Sequence, residues 1–367
     1  MNLRLDRDTL QAYGWNTYWE EVLAKHFPSN GRLVPARVVA QFSHSYNIMT
    51  EVGERSAVVT GKFEYNAAKR GDFPAVGDWV LAEPLPNERR SVIHAVLPRR
   101  TAMVRKVAGN IVEDQIIGAN LDVLFIVNAL NQDFNVRKIE RYLIAAWESG
   151  AQPVVLLTKA DLCDDPDAFV SEVESVAPGV PVYAVSALKN QGKENLSVFM
   201  SPGTTIGVTG SSGVGKSTLL NWFAGDDRQA TQGIREDDAR GRHTTTHREL
   251  FLLSDGALMM DTPGMRELQL WEANDGLQSA FSDIEELALR CRYRDCRHEN
   301  DPGCAVSAAI RSGELDAKRL ANYRKTSREL ERIARKENAA VAVRKDAKKK
   351  TAQSRPRQKN AAHWSDD

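Results

Sequence analysis

The sequence contains little cysteine and no long apolar run, and both shortages exclude classes of protein. Only four of the 367 residues are cysteine, too few for the disulfide scaffold of a small secreted domain. No apolar stretch approaches the roughly 20 residues that a membrane-spanning helix needs. The opening residues, MNLRLDRDTLQAYGW, contain no apolar core of a signal peptide. We therefore expect a cytoplasmic protein that does not insert into a membrane.

Net charge is also absent, because 49 lysines and arginines balance 49 aspartates and glutamates. The balance is not local: residues 317–360 contain sixteen basic and four acidic residues, a net charge of +12. The remainder of the chain is correspondingly acidic. A basic segment at one end of an acidic body predicts contact with a polyanion. A solvated helix followed by a disordered tail explains the same charges, so the charges alone leave both interpretations open.

Three successive patterns predict a multidomain protein. After a helical arm at residues 1–32, five short β-rich runs at 33–105 predict a small barrel, either OB-like or SH3-like. Residues 110–275 alternate apolar strands with amphipathic helices, which predicts a parallel α/β sheet covered on both faces. Residues 276–330 are predicted to be helical around a Cys/His cluster, and the basic tail at 331–367 is predicted to be disordered.

A phosphate-binding loop is predicted at GSSGVGKS, which matches GxxxxGK[ST] completely and lies between a predicted strand and a predicted helix. Backbone N–H groups of such a loop converge on phosphates, and the helix N-terminus adds partial positive charge. We expect Lys216 to reach the β- and γ-phosphates and Ser217 to ligate Mg²⁺. A glycine-rich loop without a ligand is the alternative. The predicted contacts are Gly210, Ser211, Ser212, Gly213, Val214, Gly215, Lys216, Ser217 and Thr218.

Two segments downstream predict the switch regions of a GTPase. MMDTPG supplies a DxxG motif at Asp261 and Gly264, where the carboxylate can hold Mg²⁺ and the Gly264 N–H can contact the γ-phosphate. GRHTTTHREL, which precedes it, is where a first switch loop would offer a threonine to Mg²⁺. Thr245 is the predicted residue, with Thr246 as the alternative. The predicted Mg²⁺ ligands are Ser217, Thr245 and Asp261.

A base-binding site is predicted at TKAD, which follows an apolar strand. The Asp161 carboxylate can accept hydrogen bonds from N1–H and the 2-amino group of guanine, and adenine offers neither. The stem of Lys159, which follows Thr158, can lie along the base. The tetrapeptide VSAL, which includes Ser186, follows the next strand and predicts a backbone donor to guanine O6 at Ala187.

A cluster of potential metal ligands is predicted to bind zinc. Three thiols and an imidazole within fourteen residues form a Cys₃His set suited to tetrahedral zinc: Cys291, Cys296, His298 and Cys304. Four protein ligands leave no position for a substrate water, so a structural role is predicted. Scattered buried cysteines with a surface histidine are the alternative. Cys163 stands apart and is predicted to be a packed small residue.

The motifs occur in the order base loop, second base loop, phosphate loop, first switch, second switch, which is a rotation of the usual GTPase order. In this order, and in its flanking barrel and zinc cluster, nearly the whole chain resembles the circularly permuted bacterial family called ribosome small-subunit-dependent GTPase A. The resemblance implies an OB-fold at residues 33–97, hydrolysis of GTP to GDP, and a late role in assembly of the small (30S) ribosomal subunit. It also implies contact with 16S rRNA and turnover stimulated by the subunit. We expect a monomer.

Two residues depart from common GTPase patterns. Thr158 stands where the guanine motif more often has Asn, and its shorter side chain predicts the loss of a hydrogen bond between base loop and phosphate loop. Met265 stands where a Ras-type GTPase has the glutamine that orients the attacking water, so slow intrinsic hydrolysis is predicted. His243 is the nearest replacement. A loop histidine that packs or contacts RNA fits the sequence equally well, and the resemblance favours catalysis, with Thr245 beside it.

Three functions are compatible with these motifs. The first is a GTPase whose nucleotide state times its binding to the small ribosomal subunit. The second is an RNA-binding scaffold with a structural GTP site, which would show binding without turnover. The third is a P-loop kinase of small molecules, which TKAD and VSAL disfavour because they predict guanine recognition.

Overall fold

The computed structural model describes residues 8–28, 31–107, 113–225, 248–261, 274–299 and 301–353. None of the helices within these ranges is long and apolar enough to cross a membrane. The first two helices are α1 (Asp8–Ala12) and α2 (Thr17–His26). Trp15 and Trp19 pack on Trp79 with ring centroids 4.8 and 6.0 Å away. The helical arm therefore shares an aromatic core with the domain that follows.

The five predicted β-rich runs form a closed barrel. Its strands are β1 (Val34–Gln41), β2 (Tyr46–Thr50), β3 (Gly53–Val59), β4 (Trp79–Pro84) and β5 (Arg90–Val96). Neighbours follow the order β1-β2-β3-β5-β4, and β4 pairs back onto β1. Helix α3 (Gly61–Asn66) connects β3 to β4. Alternate residues such as Val38, Ile48 and Val80 fill the interior. The OB-fold implied by the family resemblance is confirmed.

A separate hairpin connects the barrel to the second domain. Strands β6 (Ala102–Val107) and β7 (Glu113–Ala119) pair antiparallel in their own two-stranded sheet. The predicted division between residues 105 and 110 falls inside this hairpin.

The second domain contains the predicted parallel sheet. Its strands are β8 (Val123–Ala129), β9 (Gln152–Thr158), β10 (Val182–Ala184), β11 (Thr205–Gly210), β12 (Arg248–Leu252) and β13 (Leu258–Asp261). Their order is β10-β9-β8-β11-β13-β12, with β12 antiparallel to β13 and the others parallel. Helices α4 (Val136–Ser149), α5 (Pro166–Val176) and α6 (Lys216–Ala224) flank it. Separate apolar clusters cover its two faces.

The barrel and this sheet are continuous, because β12 pairs with β1 through Ala40 and Gln41. The buried guanidinium of Arg37 reinforces the junction. It donates to the carbonyls of Tyr13 (2.6 Å) and Gly77 (3.0 Å) and to the hydroxyl of Thr205 (3.0 Å). Burial lowers the pKa of Arg37 to about 9, so the group is still protonated at neutral pH. One side chain thus joins the helical arm, the barrel and the phosphate-loop strand.

Four helices form the C-terminal module: α7 (Asn274–Ala280), α8 (Ser282–Ala288), α9 (Ala305–Ser312) and α10 (Ala317–Gln353). The buried Arg319 of α10 donates to Glu140 of α4 (3.1 Å) and to Asp283 of α8 (2.6 Å), which fixes the module on the second domain. Helix α10 continues through residues 331–353, where the sequence predicted disorder. The segment contains no Gly or Pro and is rich in Ala, Lys, Arg and Glu, which favour helix.

Candidate nucleotide and metal sites

The phosphate loop lies between the end of β11 and the start of α6. Three of its residues, Gly210, Gly213 and Gly215, have positive φ angles of +146°, +78° and +93°. A Cβ at Gly210 would lie 2.3 Å from the carbonyl oxygen of Val127, so glycine is required there. The backbone can therefore fold into a tight loop at the N-terminal end of α6, where N–H groups have no intrahelical partners.

Lys216 lies across this loop. Its Nζ donates to the carbonyls of Gly210 (2.7 Å) and Ser211 (2.5 Å), so the ammonium is held over the loop that would bind phosphates. Ser217 follows in the first turn of α6 and is exposed. The predicted phosphate contacts thus lie in the loop and in the first turn of α6.

The two base loops lie in contact at the ends of β9 and β10. The hydroxyl of Ser186 donates to the Asp161 carboxylate at 2.5 Å, although 25 residues separate them in the chain. Ser186 and Gln191 exchange backbone hydrogen bonds of 3.1 and 2.9 Å, which closes the second loop. Ser186 thereby orients the carboxylate that is predicted to select guanine. This role could not be predicted from the sequence, because it depends on how closely two separate loops approach.

Thr158 links the first base loop to the phosphate loop. Its buried hydroxyl donates to the Val214 carbonyl at 2.6 Å. The prediction that the shorter side chain loses this bridge is therefore wrong. Parallel strands β9, β8 and β11 bring the two loops to the same edge of the sheet, close enough for a hydroxyl to span the gap.

We expect Thr158→Val to weaken GDP binding by about three- to tenfold, because a valine of similar shape leaves the Val214 carbonyl without its buried donor. Equilibrium titration with GDP measures the change. Thr158→Ser keeps the hydroxyl and should retain most of the affinity. Equal GDP affinities for the valine variant and the wild type would contradict a role for the bridge.

The predicted Mg²⁺ ligands are only partly described. Asp261 ends β13, which runs parallel to β11. Its backbone therefore lies at the edge of the sheet that carries the phosphate loop and Ser217. Hydroxyl and carboxylate oxygens are ligands that Mg²⁺ prefers. The other predicted switch and catalytic residues lie outside the described part of the chain and remain predictions: His243, Thr245, Thr246, Gly264 and Met265.

The predicted zinc ligands converge between α8 and α9. The potential donor atoms of Cys291, Cys296, His298 and Cys304 all lie within 4.8 Å of one another. His298 Nδ1 is 3.5 Å from the sulfurs of Cys291 and Cys304, which are 3.9 Å apart. Zinc–sulfur bonds of about 2.3 Å and zinc–nitrogen bonds of about 2.0 Å in a tetrahedron require separations of about 3.5–3.8 Å. The donor set fits zinc.

Hydrogen bonds around the cluster shift the pKa values of its thiols and hold the surrounding loop in place. Burial alone would raise the pKa of Cys304, but hydrogen bonds from Ser307 and His298 reverse the shift and lower the pKa to about 6. Desolvation, together with hydrogen bonds to the neighbouring Cys304 and Cys291 thiols, raises the pKa of Cys296 to about 12. Arg324 and Ser307 donate to the His298 carbonyl, which fixes the loop around the donors.

Cys163 takes no part in this cluster. It is half-buried and packs against the apolar cluster that also contains residues of α4 and α5.

Comparison with known proteins adds independent findings. A family model described as RsgA GTPase matches residues 96–271, and one described as 50S ribosome-binding GTPase matches residues 205–343. The small ribosomal subunit biogenesis GTPase RsgA 1 of Oceanobacillus iheyensis is 45% identical over 84% of this chain and 88% of its own length. The small ribosomal subunit biogenesis GTPase RsgA of Opitutus terrae is 40% identical over 97% of this chain and 100% of its own length.

Solved structures show the same architecture. YjeQ from Thermotoga maritima superposes with a TM-score of 0.62 at 27% identity, covering 81% of this chain and 98% of its own. YloQ, a circularly permuted GTPase, superposes with a TM-score of 0.59 at 24% identity, covering 83% of this chain and 96% of its own. The second likeness bears on the fold alone.

Proposed function

Because the chain belongs to the RsgA GTPase family, we propose that it hydrolyses GTP to GDP and phosphate in late maturation of the small ribosomal subunit. The main structural support for this function is that three loops meet at one edge of the sheet. Thr158 bonds the first base loop to the phosphate loop, and Ser186 bonds the second base loop to Asp161. The chain is therefore built to hold a base and phosphates together.

Each part of the site has a role in binding GTP. Asp161 accepts hydrogen bonds from guanine N1–H and the 2-amino group, while the Ala187 N–H donates to O6. Lys216 and the loop N–H groups bind the β- and γ-phosphates. Ser217 and Asp261 would hold Mg²⁺, with Thr245 as the proposed third residue. The ion held there would offset negative charge on the phosphates during hydrolysis.

Hydrolysis needs a group that positions water, and Met265 cannot serve because its side chain does not hydrogen-bond water usefully. His243, in the first switch segment, is the proposed group. If docking on the ribosomal subunit brings His243 to the water, hydrolysis by the free protein is slow and turnover depends on docking. The second switch, which begins at Asp261, connects in sequence to the zinc-binding module. Nucleotide state can therefore affect that module directly.

The barrel is also connected to the switches. Residues 241–247 of the first switch run directly into β12, and β12 pairs with β1 of the barrel. The β1–β2 loop begins at Phe42, immediately after the paired Gln41, and this side chain is 42% exposed. A displacement of the first switch would thus act on the barrel through strand pairing.

The zinc-binding module and α10 supply a surface for 16S rRNA. Four exposed arginines surround the zinc ligands, and Arg292 lies 5.6 Å from the ring centroid of the exposed Tyr293. Guanidinium groups bind phosphates, and aromatic rings stack on unpaired bases. The arginines are Arg290, Arg292, Arg294 and Arg297. We propose that the protein acts in the cytoplasm, as a monomer with one structural zinc.

Measuring GTP hydrolysis with and without purified small ribosomal subunits tests this function. We expect about 10⁻³ s⁻¹ or less for the free protein, as in an unaided Ras-type site. Small subunits should raise the rate by orders of magnitude, and large subunits serve as the control. GTP binding without stimulated turnover would instead support the RNA-binding scaffold, and equal use of ATP would support a kinase.

A further inference from the structure

The last turn of α6 contacts the second base loop through Trp222. The indole Nε1–H donates to the Asn190 side-chain oxygen at 2.7 Å. Lys193, two residues after the loop closes at Gln191, donates from Nζ to the Trp222 carbonyl at 2.8 Å. Its ammonium also lies 5.7 Å from the Trp222 ring centroid. The helix that opens with the phosphate loop thus ends by holding the loop that would contact guanine O6.

These contacts suit the end of α6 and the backbone of the second base loop. The Trp222 carbonyl lies in the last turn of α6. The Lys193 ammonium satisfies it and complements the negative end of the helix dipole. Asn190 has a φ of +50°, a left-handed conformation that asparagine tolerates better than most residues. The sequence therefore supplies the residue types that this junction needs.

From this junction the contacts continue to the base-selecting carboxylate. Asn190 lies in the loop that Ser186 and Gln191 close, and Ser186 donates to Asp161. We propose that Trp222, together with Asn190 and Lys193, is a positioning residue for guanine recognition. It fixes the second base loop and, through Ser186, the Asp161 carboxylate. This inference rests on the proposed GTP site and names the residues that hold its guanine-binding half in place.

If Trp222 positions the second base loop, its replacement should weaken binding of the base and leave binding of the phosphates unchanged. Trp222 lies six residues after Lys216, about 9 Å along the helix axis, and the phosphate contacts are at the opposite end of α6. Loosening the second base loop should therefore weaken GDP and leave pyrophosphate, which has no base, bound as before. Damage to the fold would weaken both ligands.

Titration of GDP and pyrophosphate against Trp222→Phe and Asn190→Gly tests the proposal. Phenylalanine keeps an aromatic ring and removes the N–H donor, while glycine keeps the left-handed backbone and removes the acceptor. Each variant should bind GDP about three- to tenfold more weakly, the range of one hydrogen bond, with unchanged pyrophosphate affinity. The double variant should be no weaker than the weaker single variant, because both remove the same bond.

Trp147→Phe is the matched control, since Trp147 lies on α4 and packs on the opposite apolar cluster. It should bind GDP like the wild type. The proposal is overturned if Trp222→Phe and Asn190→Gly keep wild-type GDP affinity, or if GDP and pyrophosphate weaken together. A wild-type protein that binds ADP as tightly as GDP would instead refute the proposed guanine site itself, so the two failures are distinguishable.

Discussion

Asp161→Asn should lower the affinity for GDP by about a hundredfold or more and raise the affinity for xanthosine diphosphate (XDP). The carboxylate accepts two hydrogen bonds from guanine, and hydrogen bonds to a charged group contribute about 1.5–3 kcal/mol each. The asparagine amide would place an N–H donor opposite an N–H donor of guanine, so that no hydrogen bond forms between them. Xanthine has an oxygen at position 2, which can accept from that N–H. The sign of the preference therefore reverses.

Equilibrium titration of GDP, XDP and ADP against both proteins measures this reversal. Asp164→Asn is the matched control, because Asp164 is an exposed carboxylate three residues away and its loss makes the same change in net charge. That control should retain the wild-type order of affinities. An Asp161→Asn protein that still prefers GDP over XDP would show that the carboxylate does not read the base.

Cys304→Ala should abolish stoichiometric zinc binding and unfold the module around α9. The thiol is buried, has a pKa lowered to about 6, and accepts from the Ser307 N–H at the start of α9. Its removal takes away a zinc ligand and the cap of that helix together. Structural zinc contributes about 10 kcal/mol or more of apparent binding energy in small modules, which exceeds what their apolar cores supply.

Metal analysis of protein purified without chelators, combined with limited proteolysis, measures both effects. The wild type should carry one zinc per chain and resist cleavage between α8 and α10. Cys163→Ala removes the one cysteine outside the cluster and should keep both properties. Wild-type protein with well below one zinc per chain would contradict the assignment, as would a zinc-replete Cys304→Ala variant.

Features that depend on neighbouring residues in the chain could be predicted from the amino-acid sequence. The phosphate loop is eight contiguous residues whose glycines dictate the backbone, and the four zinc ligands lie within fourteen residues. The strands of the barrel and of the second domain were predictable because apolar runs and turn residues report local burial and chain reversal, whereas the β6–β7 hairpin was not predicted. The rotated order of the GTPase motifs can likewise be seen directly in the sequence. The family resemblance was based on this order.

Other features were decided by tertiary structure, because they depend on distances between residues far apart in the chain. The length of the Thr158 side chain predicted a lost bridge, yet the bridge forms because β9 and β11 bring the two loops within 2.6 Å. Two further contacts could not be predicted from the periodicity of apolar residues. One is the pairing of β12 with β1, and the other is the burial of Arg37 among three parts of the chain. The Trp222–Asn190 bond joins residues 32 positions apart. Through-space contacts of this kind follow from how the elements pack, and local residue patterns do not encode them.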